Sequence, residues 1–274
     1  MTITDVIDWV AENGADHVEF AMLSQEADSP IPNLTWDPSR VAEVKDHAAS
    51  RGITLSNLAV GADLTGPDRA EVIDRVKAQV DLAASLGMTR LRHDVTGQQR
   101  HDGDDSAEFD RVLPLIAEAA KEIARHAATV GVTTSLENHG YFVQASERVR
   151  RVVRAVDEPN FGTTLDVGNF ACVDEDSVVG VAANLPYATV IHFKDFYLRP
   201  APVGTGWFAS RAGRGLRGAI AGNGDLDLSA IATLIRESDY DGFVAIEFEG
   251  AEDCLMGCEI GMENVRRLLA DQPA

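Results

Sequence analysis

GVTTSLENHG, residues 131–140, is the stretch that decides the fold. A glycine closes a long helical pattern, a β-leaning run of Val, Thr and Leu follows, and the run ends on an acid, Glu137, with Asn138 and His139 behind it. Glycine ends helices because it enters left-handed backbone without a Cβ clash. A strand that starts directly after such a glycine is the helix-to-strand junction of a parallel α/β protein. The same phrase recurs as SRGITL around Gly52, as SLGMTRL around Gly87 and, with an aspartate ahead of the glycine, as YDGFVAI around Gly242.

Outward from this junction, short apolar runs alternate with longer amphipathic ones. The β-leaning runs fall at 17–23, 53–60, 90–95, 133–138, 162–168, 189–196, roughly 217–222 and 242–249, the seventh being the shortest in apolar content and rich in glycine. Helical patterns lie between them, at 38–51, 68–86, 107–130, 147–156, 228–237 and 258–269. An open doubly wound sheet has the same alternation, but no G-x-G-x-x-G follows the first strand, so a closed (β/α)₈ TIM barrel is the expected fold. The 274 residues contain no Pro/Gly/Ser-rich linker. Barrels of this kind typically run to about 250 residues as one unit, so residues 1–274 are expected to form a single domain.

The chain carries 44 acidic against 24 basic residues, a net charge of −20. Such a field repels nucleic acid and anionic membrane surfaces, which makes both poor partners. Three cysteines, Cys172, Cys254 and Cys258, are an odd count that does not suit a disulfide framework. The helical spacing of Cys254 and Cys258, with no second pair, reads as structural thiols rather than half a zinc site. The opening MTITDVIDWVAENG has acids and no base, unlike a secretory leader, and no apolar run reaches the ~20 residues of a membrane span. A cytoplasmic location is expected.

In a (β/α)₈ barrel the reactive groups stand where strands run into the loops that follow them. Four of the runs end on charge or imidazole there: Glu137 in TSLE, Asp166 in TTLD, His192 in VIHF and Glu247 in AIE. One strand-end acid can simply pair with an arginine or face water. Four such groups from four strands need a common partner, since each buried charge costs several kcal/mol unless compensated. Three carboxylates and one imidazole form a hard, mostly oxygen site that suits Mn²⁺ or Mg²⁺, with Co²⁺ and Zn²⁺ also compatible.

The ordered motifs LENHG, TLDVGN, HFKD, GNGDLD and YDGFVAIEFEG resemble the xylose-isomerase-like TIM barrel superfamily. That group holds sugar isomerases, ketose 3-epimerases, hydroxypyruvate isomerase, inosose dehydratase and metal-dependent apurinic endonucleases. The resemblance implies that Glu137, Asp166, His192 and Glu247 bind the metal, and that Glu137 and Glu247 also act as the acid/base pair. Glu249 points to the same strand face as Glu247. Glu247 is preferred because the family's ligand stands five residues after the glycine of the Tyr-Asp-Gly turn, here Gly242. The implied activity is that of a metal-dependent isomerase or epimerase of a small carbohydrate, moving a proton through a metal-stabilised enediolate. Homodimers or homotetramers are implied in the same way. The chain has Asn169 where a common family variant has histidine, a departure from the 3-epimerases.

Further candidates for substrate contact are Asn138 and His139 after the fourth run, Asn169 after the fifth, Lys194 beside His192, and His93 at the end of the third. His93 and Glu19 each also have a bland reading as hydrogen-bonded structural residues. Residues 197–217 hold four arginines and no acid, which marks a lid over the site, with Arg211 and Arg214 as contacts for an anionic substrate. The alternative is a solvated loop or subunit contact. A lyase or dehydratase would start from the same enediolate and expel a β-leaving group. A three-metal nuclease would need more histidines than His93, His139 and His192 near strand ends.

Overall fold

Thr2 starts the first helix, α1 (Ile3–Glu12), in the computed structural model, which describes residues 1–22, 40–97 and 105–270. Its Oγ1 accepts from the Asp5 N–H at 3.1 Å, and Asp5 Oδ2 accepts from the Thr2 N–H at 2.7 Å. This reciprocal box satisfies two backbone donors that the helix itself cannot. Ile3, Ile7 and Val10 then recur at helical spacing on the buried face. The expected strand end at Leu23 and helix start at Pro38 lie outside the described residues.

Two compact units divide the chain. Among described residues the first holds 1–97, 106–136 and 152–162. Here β1 (His17–Met22), β2 (Thr54–Val60), β3 (Arg90–His93) and β4 (Thr133–Glu137) pair in parallel in chain order, although Glu137 itself belongs to the second unit. α2 (Arg40–Ser50), α3 (Arg69–Leu86) and α4 (Ser106–Thr129) connect them. Gly52, Gly87 and Gly131 have φ of 71°, 83° and 74°, the left-handed helix endings expected from the repeated phrase. Gly242 differs: its φ is not positive, and a Cβ there would collide with the Tyr240 ring, whose hydroxyl donates to the Phe243 carbonyl at 2.7 Å.

His93, expected as a substrate contact or a structural residue, lies in this unit. Its ring is fully buried and packs 6.0 Å from the Phe161 ring, while Nδ1 donates to the Asp94 carbonyl at 2.9 Å. Strand alternation turns it to the opposite face from Arg92, which pairs with Asp94 at 2.8 Å. Glu19 accepts from Asn57 Nδ2 at 3.0 Å.

Among described residues the second unit comprises Asp105, 137–151 and 163–270. α5 (Ser146–Val156) and β5 (Phe161–Asp166) are shared by the two units; α6 (Ser177–Asn184) and β6 (Ala188–Phe193) follow. The chain then makes β7 (Asp195–Arg199), β8 (Phe208–Ala209) and β9 (Gly215–Ala219) before α7 (Leu228–Arg236), β10 (Phe243–Ile246) and α8 (Cys254–Leu269). β5, β6 and β10 run parallel, so that Asp166 stands beside His192 and His192 beside Ala245. Leu165, Ile191, Phe193, Ile231, Ile235 and Val265 form the core behind them.

Two expectations are corrected here. The seventh run, 217–222, is not a parallel strand: its first residues belong to β9, which pairs antiparallel with β7 and β8. Only an isolated parallel bridge, Gly218 to Gly250, links it to the segment after β10, and a Cβ on Gly218 would overlap the Glu249 backbone. The segment 197–217 is therefore not a structureless lid but most of a three-stranded sheet. α8 starts at Cys254, earlier than expected, and carries both helical thiols; the three cysteines are free. No helix among the described residues is long and apolar enough to cross a membrane.

Asp195 explains how the chain turns from β6 into this sheet. Its carboxylate accepts from the backbone N–H groups of Phe196 (2.8 Å), Gly222 (3.0 Å), Gly224 (2.8 Å) and Leu226 (3.3 Å), which pins the GNGDLD loop. Gly224 is needed there because a Cβ would sit on Asp195 Oδ1.

Two outcomes follow. Asp195→Ala removes the acceptor of four backbone N–H groups, one of them buried, and should cost about 1–3 kcal/mol in denaturant unfolding; a loss under about 0.5 kcal/mol would contradict the pinning role. Burial holds the His93 imidazole below its ordinary value, so the unfolded chain takes up its proton first. Stability from this group is therefore complete above about pH 6.5 and is lost as pH falls below it, by up to about 1.4 kcal/mol per pH unit. Urea midpoints between pH 7 and 5 should fall less steeply in His93→Phe than in the parent; parallel slopes would refute this.

Candidate metal centre

Glu137 ends β4, Asp166 ends β5, His192 lies near the end of β6, and Glu247 follows β10. Each offers one ligand atom, and these atoms lie within 4.8 Å of one another. All four residues belong to the second unit. The convergence is a product of register: the parallel pairing of β5, β6 and β10 brings three strand ends level, and Glu137, the last residue of β4, adds the fourth.

Around them the backbone is held rigidly. Asp166 Oδ1 accepts from the Gly168 and Asn169 N–H groups, both at 2.8 Å. Asn138 donates from Nδ2 to the Asp166 carbonyl at 2.8 Å and accepts on Oδ1 from the Asp166 N–H at 2.9 Å, so it braces the two strand ends and is fully buried. Asn169 Nδ2 donates to Glu137 Oε1 at 3.0 Å, and Gln144, a residue the motifs do not single out, donates to the Asn169 carbonyl at 2.5 Å.

Lys194 supplies the positive charge. Its side chain is only 3% exposed, and Nζ lies 3.2 Å from Glu247 Oε2, 3.3 Å from Asp166 Oδ2 and 3.5 Å from Glu249 Oε2. His192 Nδ1 is 3.3 Å from the same Glu247 oxygen. Burial pushes the Asp166 carboxyl up to about 7, with Glu247 and Glu137 adding to the rise and Lys194 opposing it. Glu247 is partly buried, yet Lys194 and His192 outweigh the lost hydration and hold it well below the usual carboxylate range. The ammonium of Lys194 loses hydration, but its acidic neighbours keep it protonated well above the ordinary lysine value.

This arrangement fits a divalent cation. Asp166 Oδ2 is buried and takes part in no hydrogen bond, and three carboxylates with one imidazole are oxygen-rich donors. Two ligands on opposite sides of such an ion, each about 2.0–2.4 Å from it, are separated by about the span observed here. Glu249 is outside the set: it is exposed, whereas Glu247 is at the cluster.

The remaining candidates divide by position. His139 is partly exposed in the loop after Glu137, its N–H donating to the Glu137 carbonyl at 2.9 Å. Arg211 clamps the β7–β9 sheet: Nη2 donates to the Tyr141 carbonyl at 2.7 Å and lies 3.4 Å from Asp105, which Arg148 also binds. Its N–H donates to the Cys172 carbonyl at 2.8 Å. Asp174 accepts from Ser210 Oγ and the Ala212 N–H, both at 2.6 Å, and Tyr141 donates to the Ala209 carbonyl at 3.1 Å. Arg214 sits in the turn between β8 and β9 with its side chain exposed. The sheet is thus fastened to the loops that follow Glu137 and Asp166, by residues 141 and 174 that no motif marks.

Similarity to known proteins agrees with the geometry. A putative hydroxypyruvate isomerase of Streptomyces coelicolor (strain ATCC BAA-471 / A3(2) / M145) is 29% identical over 245 residues, 82% of this chain and 78% of that protein. The structure of IOLI protein with a bound zinc atom superposes with a TM-score of 0.78 at 15% identity, covering 100% of this chain and 95% of that one. The probable 3-DHS dehydratase AsbF from Bacillus anthracis, involved in petrobactin synthesis, gives 0.74 at 16% identity, covering 100% and 95%. These whole-length matches make the fold an α/β TIM barrel. Residues 7–268 match the family described as xylose isomerase-like TIM barrel, and the chain belongs to that family.

Proposed function

We propose that this protein is a divalent-metal-dependent isomerase acting on a small α-hydroxycarbonyl compound of the hydroxypyruvate or ketose class. The observation that carries the reading is the meeting of Glu137, Asp166, His192 and Glu247 ligand atoms within 4.8 Å. The similarity to a putative hydroxypyruvate isomerase supports the substrate class. Mn²⁺ is the proposed resident ion, favoured by a donor set that is mostly carboxylate with one imidazole; Mg²⁺, Co²⁺ and Zn²⁺ are compatible.

A divalent ion bound there supplies Lewis-acid polarisation of the substrate carbonyl and stabilises developing enediolate charge. Glu137 and Glu247 then exchange the carbon-bound proton as the acid/base pair. The Asn169 hydrogen bond fixes Glu137, and contacts from His192 and Lys194 fix Glu247, so both carboxylates meet the substrate pre-oriented. The buried Lys194 ammonium is a donor for a substrate oxygen, and His139 is the remaining candidate contact at the partly exposed side. Residues 1–274 form one domain in this reading, supported by a single family match over 7–268. Free cysteines and the net charge of −20 support a cytoplasmic protein with small-molecule rather than nucleic-acid partners.

The test is incubation of the Mn²⁺-loaded protein in D₂O with hydroxypyruvate, ketoses, 3-keto sugars and inososes, followed by NMR. Carbon-bound deuterium with rearrangement is the expected result, and Glu137→Gln and Glu247→Gln should each slow exchange by about 10²–10⁴-fold. Water loss giving an ultraviolet-absorbing enone would replace the isomerase by a dehydratase. Undiminished exchange in both variants would remove the acid/base assignment.

A further inference from the structure

We propose that Lys194 is the resident counter-cation of the metal centre, cancelling one carboxylate charge so that the remaining deficit matches a divalent ion. The inference rests on the metal-centre reading above and adds a residue that sets the affinity and charge preference of the site.

Four observations carry it. First, the ammonium is almost entirely buried yet lies 3.2 Å from Glu247 Oε2 and 3.3 Å from Asp166 Oδ2, oxygens of two proposed ligands. A lysine at a protein surface keeps its head in water; one held inside needs this compensation. Second, the third carboxylate is joined to it through Asn169, whose Oδ1 accepts from Nζ at 3.3 Å while Nδ2 donates to Glu137 at 3.0 Å. Third, the chain leaves a channel for the lysine stem. Gly168 has an ordinary negative φ of −87°, so no backbone strain requires glycine, but a Cβ there would come within 2.9 Å of the Lys194 carbonyl and 3.1 Å of its Cβ and Cγ.

The fourth is charge. With all three acids deprotonated, as metal ligands must be, Glu137, Asp166 and Glu247 contribute −3, Lys194 contributes +1, and −3 + 1 leaves −2 at a neutral His192. Glu249 is 55% exposed and screened by water, so it is left out of this sum. An ammonium is a point charge with no lone pair and cannot itself ligate an ion. Its effect on a bound cation is repulsive, and the repulsion grows in proportion to the ion's charge.

The experiment compares chelator-stripped parent, Lys194→Met and Lys194→Arg, with Mn²⁺ binding followed by calorimetry and Tb³⁺ binding by sensitised luminescence. Lys194→Met should bind Mn²⁺ about tenfold tighter or more, and its logarithmic gain for Tb³⁺ should be about 1.5 times as large. Lys194→Arg should keep the parent's affinity. Equal gains for the two ions would indicate relief of crowding rather than charge, and would overturn the proposal, as would unchanged or weaker binding in Lys194→Met. If that variant does not fold when stripped, it is refolded with Mn²⁺ and titrated with a competing chelator. A higher chelator midpoint than the parent's supports the counter-cation, and an equal or lower one overturns it. Failure of the parent itself to bind Mn²⁺ would instead overturn the metal-centre reading on which the inference rests.

Discussion

Mutual repulsion among three carboxylates brought to one point is the constraint around which the second unit is organised. Asp166 is wholly buried and Glu137 nearly so, and three carboxylates gathered this closely need local compensation. Lys194 provides the charge, the Gly168 and Asn169 N–H groups hold one Asp166 oxygen, and Asn169 holds Glu137. The Asp166 carboxyl is still pushed up to about 7, first by burial and then by Glu247 and Glu137, so the compensation is partial. A divalent cation is the group whose arrival would complete it, and the same partial charge balance is what a Lewis-acid centre for carbonyl chemistry requires.

Rigidity around the cluster comes from backbone-directed hydrogen bonds rather than from bulk. Asn138 ties the ends of β4 and β5 in both directions, and Asp195 gathers four N–H groups from its own and the 222–226 segment. The β7–β9 sheet then stands on the loops behind Glu137 and Asp166 through Tyr141, Asp174 and Arg211. Its basic residues are in part internal to the sheet: Arg217 lies over the Tyr197 and Trp207 rings, and Arg199 over Trp207.

Much of this was legible in the amino-acid sequence, for identifiable reasons. The glycines at 52, 87 and 131 announce helix ends because left-handed backbone excludes most other residues, and the strands that follow them are where they were expected. The four acids and imidazole at strand ends stand out because apolar β runs rarely tolerate charge. What sequence alone did not show depends on long-range partners. His93 and Asn138 look like loop-side polar groups until the fold shows one sealed against Phe161 and the other bonded to the Asp166 backbone. Residues 197–217 lack the regular alternation of a strand, so an antiparallel sheet held by Gly215 and Gly218 close approaches reads as loop. Gln144, Asp105 and Asp174 carry no motif, since the Asn169, Arg148 and Ser210 groups they bind lie 25 or more positions away.

Whether one cation joins these four side chains is decided by a crystal grown with Mn²⁺ and measured at the manganese absorption edge. A single strong anomalous peak is expected about 2.0–2.4 Å from an oxygen of Glu137, Asp166 and Glu247 and from a ring nitrogen of His192. No peak at the cluster, or one that misses two or more of those side chains, would contradict a shared cation.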